Sequence, residues 1–258
     1  MPDFKSKISK SLSYWQAGSA FAVDFPEITL KNAQFFPEAL TRFEKKFGQT
    51  SCIHLSKYFK KSNSDKIGSI FAKYGSDKST SHDYHLPYSF IVLNLEETSN
   101  VRVLEVGIGT NQDGFISTMG VNGKPGASLR AWREIFPKGQ IFGADLDESA
   151  LFKEDKIETY RVDQLDTDSF NSLFAACGSK NFDLIIDDGL HSPLANLNTL
   201  EFGLSKVNVG GWVVVEDILP RHIHTLLPIE RVLFSNKNFV SYIVQCKKTY
   251  LYLVNRIA

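Results

Sequence analysis

The sequence lacks a net charge and lacks any long apolar run. Its 29 Lys and Arg residues balance 29 Asp and Glu residues over 258 positions, so the composition provides no general attraction to nucleic acid or to an anionic membrane. No apolar stretch approaches the roughly 20 residues of a membrane-spanning helix, and the N-terminal residues lack the apolar core of a secretory signal. We therefore expect a cytoplasmic protein with no nucleic-acid or membrane partner.

Cysteine is also scarce. The three cysteines, Cys52, Cys177 and Cys246, are far apart and form no CxxC pair. This spacing excludes a zinc knuckle and a disulfide framework as sequence-level hypotheses. Three free thiols in a reducing compartment are the expectation.

Residues 1–66 differ in character from the rest of the chain. Short amphipathic stretches alternate with polar joints, and Phe36, Leu40, Phe43 and Phe47 recur at helical spacing. We predict a small helical N-terminal cap over 1–66, with no visible chemistry, and a second domain over 67–258.

From residue 101 onward, apolar strand patterns alternate with amphipathic helix patterns. The predicted helices are ASLRAWREIF, DSFNSLFAAC and PLANLNTLEFGLSKV, and the predicted strands span 101–106, 140–145, 158–162, 183–187, 212–216, 239–244 and 249–254. The last two strands lie close together, as in an antiparallel hairpin. The pattern predicts an α/β fold: a Rossmann-like, doubly wound, mainly parallel seven-stranded sheet with an antiparallel hairpin at one edge.

Ligands of such a sheet bind beyond the carboxyl ends of its strands. The first strand ends in EVGIGT, in which Gly107 and Gly109 let a ligand approach the backbone. A tight strand-to-helix turn needs glycine in any case, so this signal is weak alone. Position 112 is Gln112 where a dinucleotide fingerprint needs a third glycine, which counts against NAD.

The next two strand ends carry polar residues suited to a nucleoside. Asp145 could accept hydrogen bonds from both ribose hydroxyls, and its alternative role is a helix cap or turn aspartate. Asp163 and Gln164 would lie near an adenine edge, although both residue types are common in turns.

Acidic residues crowd the ends of the fourth and fifth strands. Asp187, Asp188 and His191 follow one strand, and Glu216 and Asp217 follow the other. Neighbouring carboxylates repel one another unless a cation or a proton is shared between them. Oxygen ligands of this kind suit Mg²⁺ or Mn²⁺. The alternative is that these acids merely cap the helices that follow.

From about residue 70 to 220, the chain resembles the metal-dependent sugar O-methyltransferases of macrolide antibiotic biosynthesis, the mycinamicin type. The matching pieces are KYGSDK with HxY shortly after, VLEVGIG, GASLRAWREIFP, IFGADLD, VDQLD, DLIIDDGLH and GGWVVVED. Their order, and the long insertion after GIG, make the combination far more specific than any single motif. One departure is Leu190, where relatives usually have a small residue.

The resemblance implies a role for each matching position. Glu105, Gly107 and Gly109 would line the methionine part of S-adenosylmethionine. Asp145 would hold the ribose and Asp163 with Gln164 would lie beside the adenine, with Asp187 in the same cofactor-binding group. The implied metal ligands are Asp188, Glu216 and Asp217, and the implied general base is His191.

The resulting hypothesis is an S-adenosylmethionine-dependent, Mg²⁺- or Mn²⁺-dependent O-methyltransferase that releases S-adenosylhomocysteine. Its acceptor would be a hydroxyl of a small molecule, a sugar or another vicinal diol. Two alternatives stay open: a non-catalytic module that binds an adenosyl ligand, and a metal-dependent hydroxylase or hydrolase that uses the same acids. The sequence leaves the oligomeric state open, and a homo-oligomer is one of the possibilities.

Overall fold

The computed structural model describes residues 52–54, 61–95, 100–115 and 118–258. All of them belong to one structural unit, Ser51–Ala258. The predicted helix from Phe36 to Phe47 lies outside the described residues, as does most of the predicted N-terminal cap. The domain boundary at residue 66 stays a prediction.

Nine strands of the described chain form one sheet in the order β1-β8-β9-β7-β6-β2-β3-β5-β4. They are β1 Cys52–His54, β2 Arg102–Val106, β3 Gln140–Asp145, β4 Lys153–Glu154, β5 Ile157–Arg161, β6 Phe182–Asp187, β7 Val207–Ile218, β8 Phe239–Gln245 and β9 Tyr250–Arg256. All seven predicted strands are present. The two additional strands, β1 and β4, are only three and two residues long, too short to show a residue period in the sequence.

The sheet is mainly parallel around its centre. Strand β2 pairs in parallel with β3 on one side and with β6 on the other, so the chain order reverses at β2. The predicted hairpin of β8 and β9 is confirmed, and β9 runs antiparallel to both β7 and β8. This topology is the Rossmann-like arrangement expected from the sequence, with its ligand crevice at the point of reversal.

Within the described ranges, six helices flank the sheet: α1 Lys61–Tyr74, α2 His85–Leu95, α3 Ala127–Ile135, α4 Thr167–Ala176, α5 Pro193–Lys206 and α6 Ile223–Ser235. The three predicted helices, α3 to α5, match to within one residue at each end. Local chemistry explains one start: the Ser192 hydroxyl accepts a hydrogen bond from Ala195 N, and Pro193 occupies the first turn of α5. None of the described helices is long and apolar enough to cross a membrane.

Both faces of the sheet are buried. Consecutive residues such as Val103 and Leu104 pack into separate apolar clusters, because side chains alternate across a strand. One cluster contains Phe71, Tyr88 and Trp132 of α1, α2 and α3. The other contains Phe170, Leu200 and Phe202 of α4 and α5. Because helices cover both faces, the strand ends are the accessible part of the sheet.

The strand register brings the predicted site residues to one edge. Val106 at the end of β2 lies opposite Asp187 at the end of β6, and Asp187 lies opposite Val215 of β7. The pairing of β7 with β9 shifts between Val215 and Ile218, which marks an irregularity at the intervening Glu216 and Asp217. The chain thus departs from regular strand geometry at the acidic end of β7, which is the fifth of the predicted strands.

Candidate active site

The loop after β2 passes close to the loop after β6. Gly107 has a φ of +92°, and a Cβ atom built on it would lie 2.2 Å from the carbonyl oxygen of Asp188. Only glycine fits this close approach of two backbones. The positive φ of Gly109, +85°, continues the turn, which opens toward a cavity.

Asp145 fixes this loop from the neighbouring strand. Its Oδ2 accepts a hydrogen bond from Ile108 N at 2.9 Å, and its Oδ1 accepts one from Asp147 N at 3.0 Å. The carboxylate also lines the cavity. Asp145 therefore holds the glycine loop in place while it faces the space that a ligand would fill.

Gln164 and Asp187 form a buried support under the loop after β6. Gln164 Nε2 donates to Asp187 Oδ1 at 2.8 Å, and Gln164 Oε1 accepts from Leu190 N at 2.7 Å. Asn196 Nδ2 donates to the other oxygen of Asp187 at 3.0 Å. Burial raises the pKa of Asp187, although these hydrogen bonds lower it in part. Asp187 thus shapes the DDGLH turn from behind the cavity.

A cavity of about 530 Å³ lies at this edge of the sheet. It brings together most of the residues predicted from the sequence. Those that line it are Gly107, Gly109, Asp145, Asp163, Gln164, Asp188, His191 and Asp217. Three predicted site residues, Glu105, Asp187 and Glu216, are not among its lining residues and are almost completely buried.

The four carboxylates at the acidic end of the site form two pairs. We call Glu105 and Glu216 the inner acids, because their side chains are 0% and 1% exposed. We call Asp188 and Asp217 the outer acids, because their side chains are 24% and 23% exposed and line the cavity. The sequence distinguishes none of the four.

A buried lysine lies between the two pairs. The Nζ atom of Lys78 is 2.7 Å from Asp188 Oδ2, 2.7 Å from Glu216 Oε2 and 3.3 Å from Glu105 Oε1. Burial lowers the pKa of Lys78, but the carboxylates raise it more, and the pKa ends well above its ordinary value. Lys78 is therefore a positive charge of this site, whereas burial and the neighbouring Asp188 raise the pKa of Glu216 more than Lys78 lowers it.

Neutral donors complete the hydrogen bonding of the inner acids. Ser128 Oγ donates to Glu105 Oε1 at 2.7 Å, and Trp132 Nε1 donates to Glu105 Oε2 at 2.8 Å. Tyr88 donates its hydroxyl hydrogen to Glu216 Oε1. Glu216 is buried and does not line the cavity, so it can contact a ligand there only after its side chain moves.

The outer acids lie beside a histidine. His191 Nε2 is 3.8 Å from Asp217 Oδ2, and Asp188, His191 and Asp217 each offer a ligand atom within 4.8 Å of the others. Among the described residues, His191 Nδ1 is buried and has no hydrogen-bond partner. Two carboxylates and an imidazole at this spacing fit a single divalent ion.

The backbone at both residues is unusual. His191 and Asp217 have φ values of 53° and 52°, in the left-handed region, which few residues other than glycine adopt. Consecutive residues of a regular strand point to opposite faces, and the left-handed Asp217 turns its side chain out of β7 toward the cavity. Glu216, one residue earlier, stays in the core.

Asp217 is also held by the segment before α2. Tyr84 donates its hydroxyl hydrogen to Asp217 Oδ1 at 2.5 Å, and Thr249 Oγ1 lies 3.1 Å from the same oxygen. Burial raises the pKa of Asp217, but the Tyr84 hydrogen bond and the nearby His191 and His82 lower it more, so the pKa ends below its ordinary value. Asp217 is therefore anionic and oriented near neutral pH.

Sequence reasoning missed Lys78, Tyr84 and Tyr88. All three lie in residues 73–88, KYGSDKSTSHDYHLPY. KYGSDK and HxY from this segment contribute only to the resemblance, and none of its residues has a predicted role. Tyr84 lies one residue before α2 and Tyr88 lies in its first turn, and this spacing of four residues could have indicated one helix face. Lys78 gave no such signal, because a lysine in a polar turn is normally exposed.

The sheet topology and the cavity define the fold of the class I S-adenosylmethionine-dependent methyltransferases. No protein-family model matches the chain. It is similar to the 8-demethyl-8-alpha-L-rhamnosyl tetracenomycin-C 2'-O-methyltransferase of Streptomyces olivaceus, with 29% identity over 152 residues that cover 59% of this chain and 37% of that protein. It is also similar to the mycinamicin VI 2''-O-methyltransferase of Micromonospora griseorubida, with 34% identity over 118 residues, 46% of this chain and 27% of that protein.

Among solved structures, the chain is similar to the MycE methyltransferase of the mycinamycin biosynthetic pathway in complex with Mg and SAH. The TM-score is 0.59 at 25% identity, over 74% of this chain and 54% of that one. These comparisons confirm the resemblance inferred from the sequence. The chain spans about a third of the length of the curated relatives it matches, from 27% to 37%.

Proposed function

We propose that this protein is an S-adenosylmethionine-dependent O-methyltransferase that acts on a hydroxyl of a small molecule, a sugar or another vicinal diol. One observation carries the proposal. A single cavity is lined both by the glycine loop of Gly107 with Asp145 and by the Asp188, His191 and Asp217 cluster. The relatives named above support the reaction type.

The adenosyl ligand would lie along the glycine loop. Gly107 and Gly109 would leave room against the backbone, Asp145 would face the ribose, and Asp163 and Gln164 also line the cavity. Glu105 and Asp187 would support the cavity from behind, since both are buried. Held in line, two reactants can gain roughly 7–11 kcal/mol of barrier reduction.

Asp188 and Asp217 would hold a divalent ion, Mg²⁺ or Mn²⁺, and the residues present fit one. Glu216, the third predicted ligand, is buried behind the cavity and would first have to move toward it. When bound, the ion supplies positive charge that lowers the pKa of a nearby hydroxyl. The open side of the outer acids would admit two vicinal oxygens of an acceptor.

His191 would accept the proton of the attacking hydroxyl. The substrate oxygen forms a bond to the methyl carbon, and the bond between that carbon and sulfur breaks with its electron pair on sulfur. S-adenosylhomocysteine leaves, and the proton remains on the imidazole. A positioned base of this kind typically contributes about 10²–10⁴-fold.

The test is methyl transfer by the full chain to a panel of glycosides with vicinal hydroxyls, with S-adenosylmethionine and MnCl₂, read by mass spectrometry. We expect a gain of one methyl group that EDTA suppresses and that Asp217→Asn removes. Asp155→Asn is the matched control, because Asp155 is exposed on the distant β4–β5 connection. Calorimetry that shows binding of NAD and no affinity for S-adenosylhomocysteine would overturn the proposal, and activity unchanged by EDTA would remove its metal.

A further inference from the structure

Lys78 is a buried cation in a place where three carboxylates converge. Its side chain is 1% exposed, and its Nζ contacts Asp188, Glu216 and Glu105 at 2.7, 2.7 and 3.3 Å. A carboxylate taken out of water is costly unless it is paired and hydrogen-bonded. In the described part of the chain, the ion pairs of the inner acids are those with Lys78.

The backbone around Lys78 is fixed independently of the acids. Lys78 lies in a short 3₁₀ helix, Asp77–Ser79, and the Ser76 hydroxyl accepts a hydrogen bond from Lys78 N. Ser79 Oγ donates to the carbonyl oxygen of Gly68 in α1 at 2.7 Å. The position of the ammonium group is thus set by a segment whose own hydrogen bonds do not involve the acids.

We propose that Lys78 is a positioning residue that supplies, from within the chain, the positive charge required by Glu105 and Glu216. The acidic end of the cavity is thereby assembled before any divalent ion binds. The expectation that a divalent ion binds beside these acids rests on the proposed function, whereas charge compensation by Lys78 does not. Lys78 also fixes one oxygen of Asp188 and leaves the rest of that side chain toward the cavity.

Thermal unfolding of the full chain in EDTA and in MnCl₂ tests this. In EDTA, Lys78→Met should lower Tm by roughly 10 °C, because it leaves buried carboxylates without a cation. MnCl₂ should recover at least about half of that loss, so the metal-induced shift should exceed that of the wild type. Lys73→Met is the matched control, because Lys73 is an exposed lysine paired with Glu134. Its Tm in EDTA and its increase in Tm on addition of MnCl₂ should both stay near the wild-type values.

A double variant separates charge from packing. Lys78→Met with Glu216→Gln removes the cation together with one of its acids, and in EDTA it should regain a large part of the Tm lost by Lys78→Met alone. The proposal is overturned if Lys78→Met loses the same Tm in EDTA and in MnCl₂ and the double variant recovers none of it. Lys78 would then contribute packing and not charge.

The same experiments distinguish this proposal from the proposed function. Recovery in the double variant, together with no Mn²⁺ binding to the wild type by electron paramagnetic resonance, supports the charge role of Lys78 and contradicts the metal site. If Lys78→Met does not fold, folding of the double variant supports the proposal, and failure of both overturns it.

Discussion

The inner and outer acids are the same chemical groups at the same edge of one sheet, yet their surroundings differ. Glu105 and Glu216 are buried, and lysine, tyrosine, tryptophan and serine side chains occupy their oxygens. Asp188 and Asp217 are about a quarter exposed and line the cavity beside a histidine. The inner pair holds the site together, and the outer pair is available for chemistry.

A cluster of acids is therefore not automatically a set of metal ligands. A buried carboxylate behind the cavity wall must move before it can bind an ion in the cavity, and each hydrogen bond to a charged group that it loses costs about 1.5–3 kcal/mol. On this basis we expect the outer acids to dominate metal affinity and the inner acids to dominate stability.

The largest effect should come from Asp217→Asn. It removes an oriented charge from the open side of the cluster, and we expect Mn²⁺ affinity to fall roughly 100-fold or more, since affinity follows the number of charged ligands. Glu216→Gln should lower it by about 10-fold, the lower end of the effect of a residue that supports the ligands without binding the ion. Electron paramagnetic resonance titration measures both. Equal losses for the two variants would break the distinction between outer and inner acids.

His191→Ala should cut kcat by roughly 10²-fold, the usual scale for a lost general base. Affinity for S-adenosylhomocysteine and for Mn²⁺ should hardly change. Steady-state kinetics on an identified acceptor, with calorimetry for both ligands, checks this. A loss of Mn²⁺ affinity as large as that of Asp217→Asn would make His191 a metal ligand instead of the base.

Asp145→Ala tests the part of the cavity beside the glycine loop. It removes a charged acceptor from the ribose position and also frees the amide of Ile108. We expect S-adenosylhomocysteine affinity to fall by about 1.5–3 kcal/mol, with Mn²⁺ affinity unchanged. Calorimetry beside Asp155→Ala as the control measures the difference, and wild-type affinity would show that Asp145 only caps its turn.

Trp132→Phe should have the smallest effect on the site and a visible effect on the fold. It removes the indole donor to Glu105 and leaves a buried carboxylate oxygen with one partner fewer. Stability should fall by about 1–3 kcal/mol in urea unfolding. Mn²⁺ affinity that also falls by tenfold or more would place Glu105 among the groups that act on the ion.

The sequence alone determined the frame of this protein. Residue periods of 2 and 3.6 predicted the seven main strands and the helices α3 to α5, because burial on a sheet or a helix face requires those periods. The clustering of acids followed as well, since parallel strands end at the same edge of a sheet. The motifs in their order were enough to identify the resemblance to the sugar O-methyltransferases.

Only the tertiary structure decided which acids face the cavity. Glu216 and Asp217 are adjacent in sequence, and a left-handed residue in an irregular strand separates them into core and cavity. Lys78 lies 110 residues before Asp188 and 138 before Glu216, so no local pattern could pair them. Local periodicity encodes which face of an element is buried, whereas a buried ion pair depends on where distant segments pack, and that is a property of the folded chain.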